Sequence, residues 1–287
     1  MTTPTTQLPK CWADVKLALE AGIDRIILFG PPGTGKTFAG MNYGQVNRGA
    51  FRLICTDDMT NADVTGHMIP NEQGTFSWVN GKGLKAWDGD GKLGGRLVID
   101  EIDKAGADVY ATLLNITDSN DSASWTNELS GIRYVPRPGF SVVMTTNIED
   151  MKDLPEALAD RFPVAIRINQ PHPEALLRLS PDLRGYAVRM ADAGDERISL
   201  RSFMAFDELR AKSNEDTAAR IIFRDRAKEV LEAITVDRLS MPATATASDG
   251  TTINLESLTP AAPVKRGRGR PRKNPVVPTT TVDGEPI

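Results

Sequence analysis

Eight consecutive residues, Gly30-Pro31-Pro32-Gly33-Thr34-Gly35-Lys36-Thr37, bring three glycines, a lysine and a hydroxyl together. The spacing is that of a phosphate-binding loop, G-x-x-x-x-G-K-[ST]. Glycines let the backbone curl around a phosphate, and amides at the start of a following helix point at the anion. Lys36 is placed to reach the β- and γ-phosphates, and Thr37 to ligate Mg²⁺. A second group is Leu97-Val98-Ile99-Asp100-Glu101, an apolar run ending in two acids. A carboxylate at such a strand end can hold the magnesium shell, which is the Walker B role and fits Asp100. Glu101 then fits the general base that polarises an attacking water. A third run, Ser141 to Thr146, ends at Asn147, which can hydrogen-bond a γ-phosphate or orient the water.

These residues need elements that bring them to one edge. Ile26-Ile27-Leu28-Phe29-Gly30 reads as a buried parallel strand, and similar runs recur at 51–56, 96–100, 140–146 and 164–168. Helical patterns over 11–21, 36–47, 104–118 and 154–161 alternate with them, which predicts a parallel α/β sheet. Glycines interrupt the alternation between about 60 and 95, and 74–79 reads as one arm of a hairpin inserted into a helix. From Pro171 to about Leu239 the pattern is helical throughout. From Ser240 onward, Ala, Thr, Pro, Gly and Arg dominate, and such a stretch cannot bury enough apolar surface to fold alone. The expected organisation is a flexible start (1–10), an α/β domain (11–170), a helical lid (171–240) and a disordered basic tail (241–287).

Composition excludes several classes. The chain has 287 residues, 40% hydrophobic and 25% charged, as in an ordinary globular protein. No apolar run approaches the roughly 20 residues that span a bilayer. The Thr/Pro-rich start does not have the pattern of a signal peptide. Cys11 and Cys55 have no metal or redox spacing, and with only His67 and His172 beside them a zinc site is improbable. A cytoplasmic protein with reduced thiols, and with no membrane partner, is expected.

Taken in order, Gly30 to Thr37, Val98-Ile99-Asp100-Glu101, Thr145-Thr146-Asn147 and Leu154-Pro155-Glu156-Ala157-Leu158-Ala159-Asp160-Arg161-Phe162 resemble the motifs of AAA+ ATPases. Within that family they resemble the MoxR-like branch, including an insert in the second helix. The resemblance implies a five-stranded sheet in the order 5-1-4-3-2, ATP and Mg²⁺ as cofactors, and ATP hydrolysis. It implies that Asn147 is the sensor 1 residue. Arg161 matches the arginine finger, which in such proteins reaches the γ-phosphate of a neighbouring subunit; a ring, expected to be hexameric, follows. Arg201 matches sensor 2 at the start of a lid helix, with Ser199 as a plausible N-cap. Two departures concern the substrate: Gly81-Lys82-Gly83-Leu84 does not have the family's proline after its first glycine, and the lid is short.

Two features remain open at this level. Phe76, Trp78 and Trp87 flank a glycine-rich loop with Lys82 and Lys85, and either grip a client protein or pack the insert against its own sheet. Lys265 to Lys273 holds six cations around Arg268-Gly269-Arg270-Pro271 on an otherwise acidic chain. It resembles an AT-hook for A·T-rich minor grooves, and is equally readable as a generic basic tail. Three roles follow: a MoxR-like chaperone that remodels a client, a DNA-associated ATPase serving replication or packaging, and a scaffold that binds ATP without turnover. Glu101 and Arg161 argue against the last.

Overall fold

The structure is a computed structural model that describes residues 8–44, 46, 48–72, 74–240, 244–246 and 252–255. Helix α1 (Lys10–Glu20) leads into β1 (Arg25–Phe29), and the glycine-rich loop follows before α2 (Lys36–Asn42). Strand β2 (Ala50–Ile54) precedes α3 (Asn61–Thr65), the hairpin β3 (Gly66–Pro70) and β4 (Phe76–Asn80), and α4 (Lys82–Asp88). Then come β5 (Arg96–Asp100), α5 (Ala107–Ile116), a small hairpin of β6 (Trp125–Thr126) and β7 (Arg133–Tyr134), β8 (Ser141–Thr145), α6 (Glu156–Ala159) and β9 (Val164–Arg167).

Five parallel strands form one sheet in the order β2-β5-β8-β1-β9. Numbered along the chain, these are the expected 5-1-4-3-2. The inner strand β5 is buried at every position, and β1 and β8 nearly so, whereas the edge strands β2 and β9 are partly open. That is the burial expected when helices cover both faces of a parallel sheet. Register matters more for function. Asp100 pairs with Thr145, and Thr145 pairs with Leu28. The three motif-bearing strands therefore end level, and their following loops share the carboxyl edge, where open α/β sheets hold their ligands.

Two buried arginines tie helix ends to this sheet. Arg25 Nε donates to Thr117 O (2.9 Å) and Nη2 to Asp118 O (2.6 Å), just past α5, while its guanidinium lies 4.9 Å from the Phe140 ring. Arg96 Nη1 donates to Gly40 O (3.1 Å) and to Tyr43 O at the end of α2. Both satisfy helix C-terminal carbonyls that have no intrahelical donor, with a cation at the negative end of the dipole.

The insert is a hairpin flanked by α3 and α4. Gly66 (φ 131°) starts it, and a Cβ there would stand 2.3 Å from Val79 O, so the hairpin closes only around glycine. The three aromatics of the insert do not act alike. Trp87 is fully buried, donates to Ile116 O (3.2 Å) and packs against Phe140, so it belongs to the core and not to a gripping loop. Trp78 stacks on Trp125 of the second hairpin (5.6 Å, 22°), and Phe76 is 62% exposed.

The lid holds α7 (Pro173–Leu176), α8 (Pro181–Met190), α9 (Leu200–Lys212), α10 (Glu215–Phe223) and α11 (Ala227–Ser240) around Leu183, Phe203, Phe206 and Ile234. It extends beyond the expected limit at 240. Strands β10 (Thr244–Thr246) and β11 (Thr252–Asn254) pair antiparallel and bury Ala245 and Ile253 in the lid core. A composition too poor to fold alone can still add two apolar side chains to an existing apolar surface. Residues 265–273 lie outside the described residues. Arg167 at the end of β9 joins the two units through two bonds to Asp192 (2.8 and 3.0 Å). No described helix is long and apolar enough to cross a membrane.

Candidate nucleotide site

The glycine-rich loop takes left-handed backbone at Gly30, Gly33 and Gly35 (φ 113°, 80° and 109°). At Gly30 a Cβ would also stand 3.0 Å from Ile168 O. Lys36 is 5% exposed, and its Nζ donates to Gly30 O (2.7 Å), Pro31 O (2.8 Å) and Asn147 Oδ1 (3.1 Å). Thr34 Oγ1 donates to Pro31 O (3.1 Å), closing the turn. The lysine and the expected sensor 1 residue, 111 positions apart, are thus in direct contact.

Burial, with Arg197 and Arg201 nearby as further cations, lowers the Lys36 pKa to about 8. A bound phosphate reverses this, because an adjacent anion favours the ammonium. The free site therefore loses its proton as pH rises through about 8, while the filled site keeps it. Nucleotide affinity should be flat below that point and fall above it by up to ~tenfold per pH unit. Titration with a fluorescent nucleotide at one pH well below and two above the transition checks this. Constant affinity across the range would show that Lys36 keeps its proton in the free site.

Asp100 is 5% exposed at the end of β5. Its Oδ1 accepts from Thr37 Oγ1 (2.9 Å) and from Thr145 Oγ1, and its Oδ2 from Arg52 Nε (3.0 Å) and Nη2. Burial opposes its ionisation, but bonds from Thr145, Arg52 and Thr37 outweigh it and hold the carboxyl below its usual pKa. Glu101 is one of two non-glycine described residues with positive φ (58°). The left-handed turn swings it off the strand line onto the pocket wall, and such outliers concentrate at functional sites. Its Oε2 accepts from Lys104 Nζ (2.7 Å), a partner the sequence reading did not anticipate.

A cavity of about 420 Å³ lies over these groups, roofed by the lid. Its wall includes Thr37, Asp100, Glu101, Asn147 and Arg201. Arg201 stands in the first turn of α9, whose N-cap Ser199 accepts from Ser202 N (3.1 Å), as expected. Arg161 is not in this cavity. Its Nη1 donates to Ala157 O (2.5 Å) and its Nε to Leu114 O (3.1 Å), and no bond joins it to Asp160.

Sequence reasoning missed several residues. Arg52 is one. His172, Glu174, Arg178 and Met204 line the lid side, and Phe38 the opposite wall. The His172 ring packs at 5.0 Å from Trp12, burial lowers its pKa, and its Nδ1 accepts from Glu174 N (3.2 Å). Arg197 Nη2 donates to Pro32 O, so a second lid arginine touches the loop directly. None belongs to a local motif. His172 and Glu174 open a short helix after a Pro, a pattern shared by many structural caps.

The donor set fits a magnesium nucleotide. Lys36, the loop backbone and Arg201 offer positive charge and N–H donors to phosphates, and the Thr37 hydroxyl beside the Asp100 carboxylate is the oxygen pair a hard divalent cation takes. Among the described residues no group of three or more His, Cys, Asp or Glu is placed to hold a metal ion.

Residues 25–162 match the family model described as the AAA domain, dynein-related subfamily. The match runs from the first residue of β1 to Phe162, just past Arg161, and takes in every strand motif above. The similarity to a AAA domain thus rests on residues 25–162, just under half of the chain. Among solved structures, a "putative ATPase" from Cytophaga hutchinsonii is similar at 20% identity and a TM-score of 0.42, over 80% of this chain and 69% of that one. No curated protein matches the sequence. The lid and everything beyond it lie outside the AAA-domain match, although Arg201 and His172 help wall the cavity.

Proposed function

We propose that this protein is a magnesium-dependent ATPase that works as a ring and remodels a client protein in the manner of MoxR-like chaperones. The observation that carries the reading is the convergence of Lys36, Thr37, Asp100, Glu101 and Asn147 on one cavity at the level carboxyl ends of β1, β5 and β8. Thr37 and Asp100 would hold magnesium, which when bound neutralises phosphate charge. Lys36 and the loop amides bind the phosphates and keep them in place. Glu101, released from Lys104, accepts a proton from the attacking water. Asn147, already bonded to Lys36, offers its amide NH₂ to the water or the γ-phosphate. Arg201 supplies charge from the lid, so lid position and phosphate occupancy become linked.

The ring follows from Arg161. A finger must reach a γ-phosphate to stabilise charge in the transition state, and Arg161 lies outside its own subunit's cavity. A hexamer is the expected stoichiometry. Client gripping is assigned to the paired hairpins. Phe76, Met68 and Ile69 on one, and Leu129, Ile132 and Val135 on the other, are exposed at 40% or more on an acidic protein, and the Trp78–Trp125 stack joins the two. Apolar side chains grouped at hairpin tips mark an interaction surface more often than isolated ones do. Phosphate release from magnesium ATP by the full chain is the direct test, and absence of turnover in the assembled protein overturns the enzymatic reading.

A second reading, a DNA-associated ATPase, is favoured by the six cations of 265–273. It predicts that the full chain binds A·T-rich duplex better than G·C-rich duplex, because the minor groove distinguishes these two and little else. The log–log salt slope would be at most roughly −5 if all six cations meet phosphates. Removing residues 260–287 should abolish duplex binding and leave ATP turnover unchanged. Equal affinity for the two duplexes would reduce the segment to a generic basic tail and leave protein remodelling as the reading.

A further inference from the structure

The carboxylate expected to serve magnesium already has a full set of partners. Two hydroxyls, from Thr37 and Thr145, meet one oxygen of Asp100, and two N–H groups of Arg52 meet the other. The two kinds of partner differ in what they can do next. A threonine hydroxyl can rotate and offer a lone pair to a metal, whereas a guanidinium is donor-only and carries a fixed positive charge. Arg52 is therefore the partner that a cation arriving at Asp100 must displace.

The position of Arg52 suits such a displacement. It stands on the edge strand β2, two residues before Ile54, which pairs with Asp100 in the sheet register. Its side chain reaches forward along the strand to the carboxylate and is 45% exposed, while that of Asp100 is 7% exposed. Arg52 also lines the nucleotide cavity, so a guanidinium leaving Asp100 stays beside the space the phosphates would fill. An arginine needed only to brace β2 against β5 would have no reason to meet the one acid beside Thr37, since backbone pairing already joins these strands over five residue pairs.

We propose that Arg52 is a built-in counter-ion for Asp100 that competes with the divalent metal. It holds the carboxylate ionised and aimed before the metal arrives, and it yields the carboxylate when a triphosphate offers an alternative anionic partner. Metal without nucleotide is thereby kept out, and metal and nucleotide enter together. This rests on the magnesium-nucleotide reading of the same cavity.

The test uses the full chain and Mn²⁺ as the probe, with free Mn²⁺ read by electron paramagnetic resonance in the absence of nucleotide. Wild-type protein is expected to bind Mn²⁺ weakly. Arg52→Gln removes the charge and should tighten Mn²⁺ binding by at least about tenfold, as expected for deleting a like charge within a few ångströms of the metal position. Arg52→Lys, which keeps the charge without the paired donors, should fall between the two and serves as the reading if Arg52→Gln does not fold. Adding Asp100→Asn to Arg52→Gln should return binding to the weak level. Unchanged Mn²⁺ affinity in a folded Arg52 variant, or tight Mn²⁺ binding by the wild type, overturns the proposal. Binding of a fluorescent ATP with Mg²⁺ to the wild type is measured separately. Failure there refutes the nucleotide reading itself and is distinguishable from a failure confined to the Mn²⁺ titrations.

Discussion

Lys36→Ala is expected to remove nucleotide binding, while Glu101→Gln keeps binding and stops hydrolysis. The two residues sit in one cavity but touch different parts of the chemistry. Lys36 supplies a buried ammonium with three bonds to the loop and Asn147, and a bond to a charged group is worth roughly 1.5–3 kcal/mol, or up to about 10²-fold in affinity. Its loss also leaves the carbonyls of Gly30 and Pro31 without that donor, so the loop that must receive phosphate loses its brace. Glu101 touches no loop atom in the described contacts. Its bonded partner is Lys104, and the Gln isostere can still accept from it. Removing a general base costs roughly 10²–10⁴-fold in rate without touching ground-state phosphate contacts. Fluorescent-ATP binding and phosphate release on each variant check both halves. Substantial turnover by Glu101→Gln would transfer the role of base to another group.

Arg161→Ala is expected to lose ATPase activity in the assembled protein and to regain part of it when mixed with Lys36→Ala subunits. An arginine finger is worth roughly 10³–10⁵ in rate, and Arg161 lies outside its own cavity, bonded to Ala157 O and Leu114 O. A finger acting in trans predicts complementation. An Arg161→Ala subunit retains an intact phosphate site, and a Lys36→Ala neighbour retains an intact finger to complete it. An Arg161 acting only within its own subunit predicts no rescue at any ratio. Loss of the two carbonyl bonds lowers stability as well, by up to roughly 1.5–3 kcal/mol each for a charged donor, so a melting curve separates unfolding from loss of the finger. Activity that never exceeds that of either variant alone, across several mixing ratios, would remove the trans role and with it the main argument for a ring.

Much of this site was legible in the sequence because its parts are short runs. Gly30 to Thr37 carries its own conformational code, since glycines mark left-handed positions and the lysine and hydroxyl follow at fixed offsets. Asp100 and Asn147 were legible as the polar ends of apolar runs, and five such runs alternating with helices imply a parallel sheet. Apolar periodicity records which face a residue buries, and burial is what the sheet is built from.

Partners across the sheet and across the lid were settled only by tertiary structure. Arg52 looks like a solvated residue on an edge strand until β2 is laid beside β5, because its partner is 48 positions away. The left-handed turn at Glu101 and its pairing with Lys104 have no local signature either, since nothing in Asp-Glu-Ile-Asp-Lys demands positive φ. Trp87 and Phe76, both aromatics beside glycines, were divided into core and surface by the packing of α4 under the sheet. Ala245 and Ile253 joined the lid because α8 offered an apolar surface that their own composition did not reveal. A one-dimensional pattern carries the preference of each residue for burial, charge or turn. Which distant group satisfies that preference depends on strand register and helix packing, and these are properties of the folded chain as a whole.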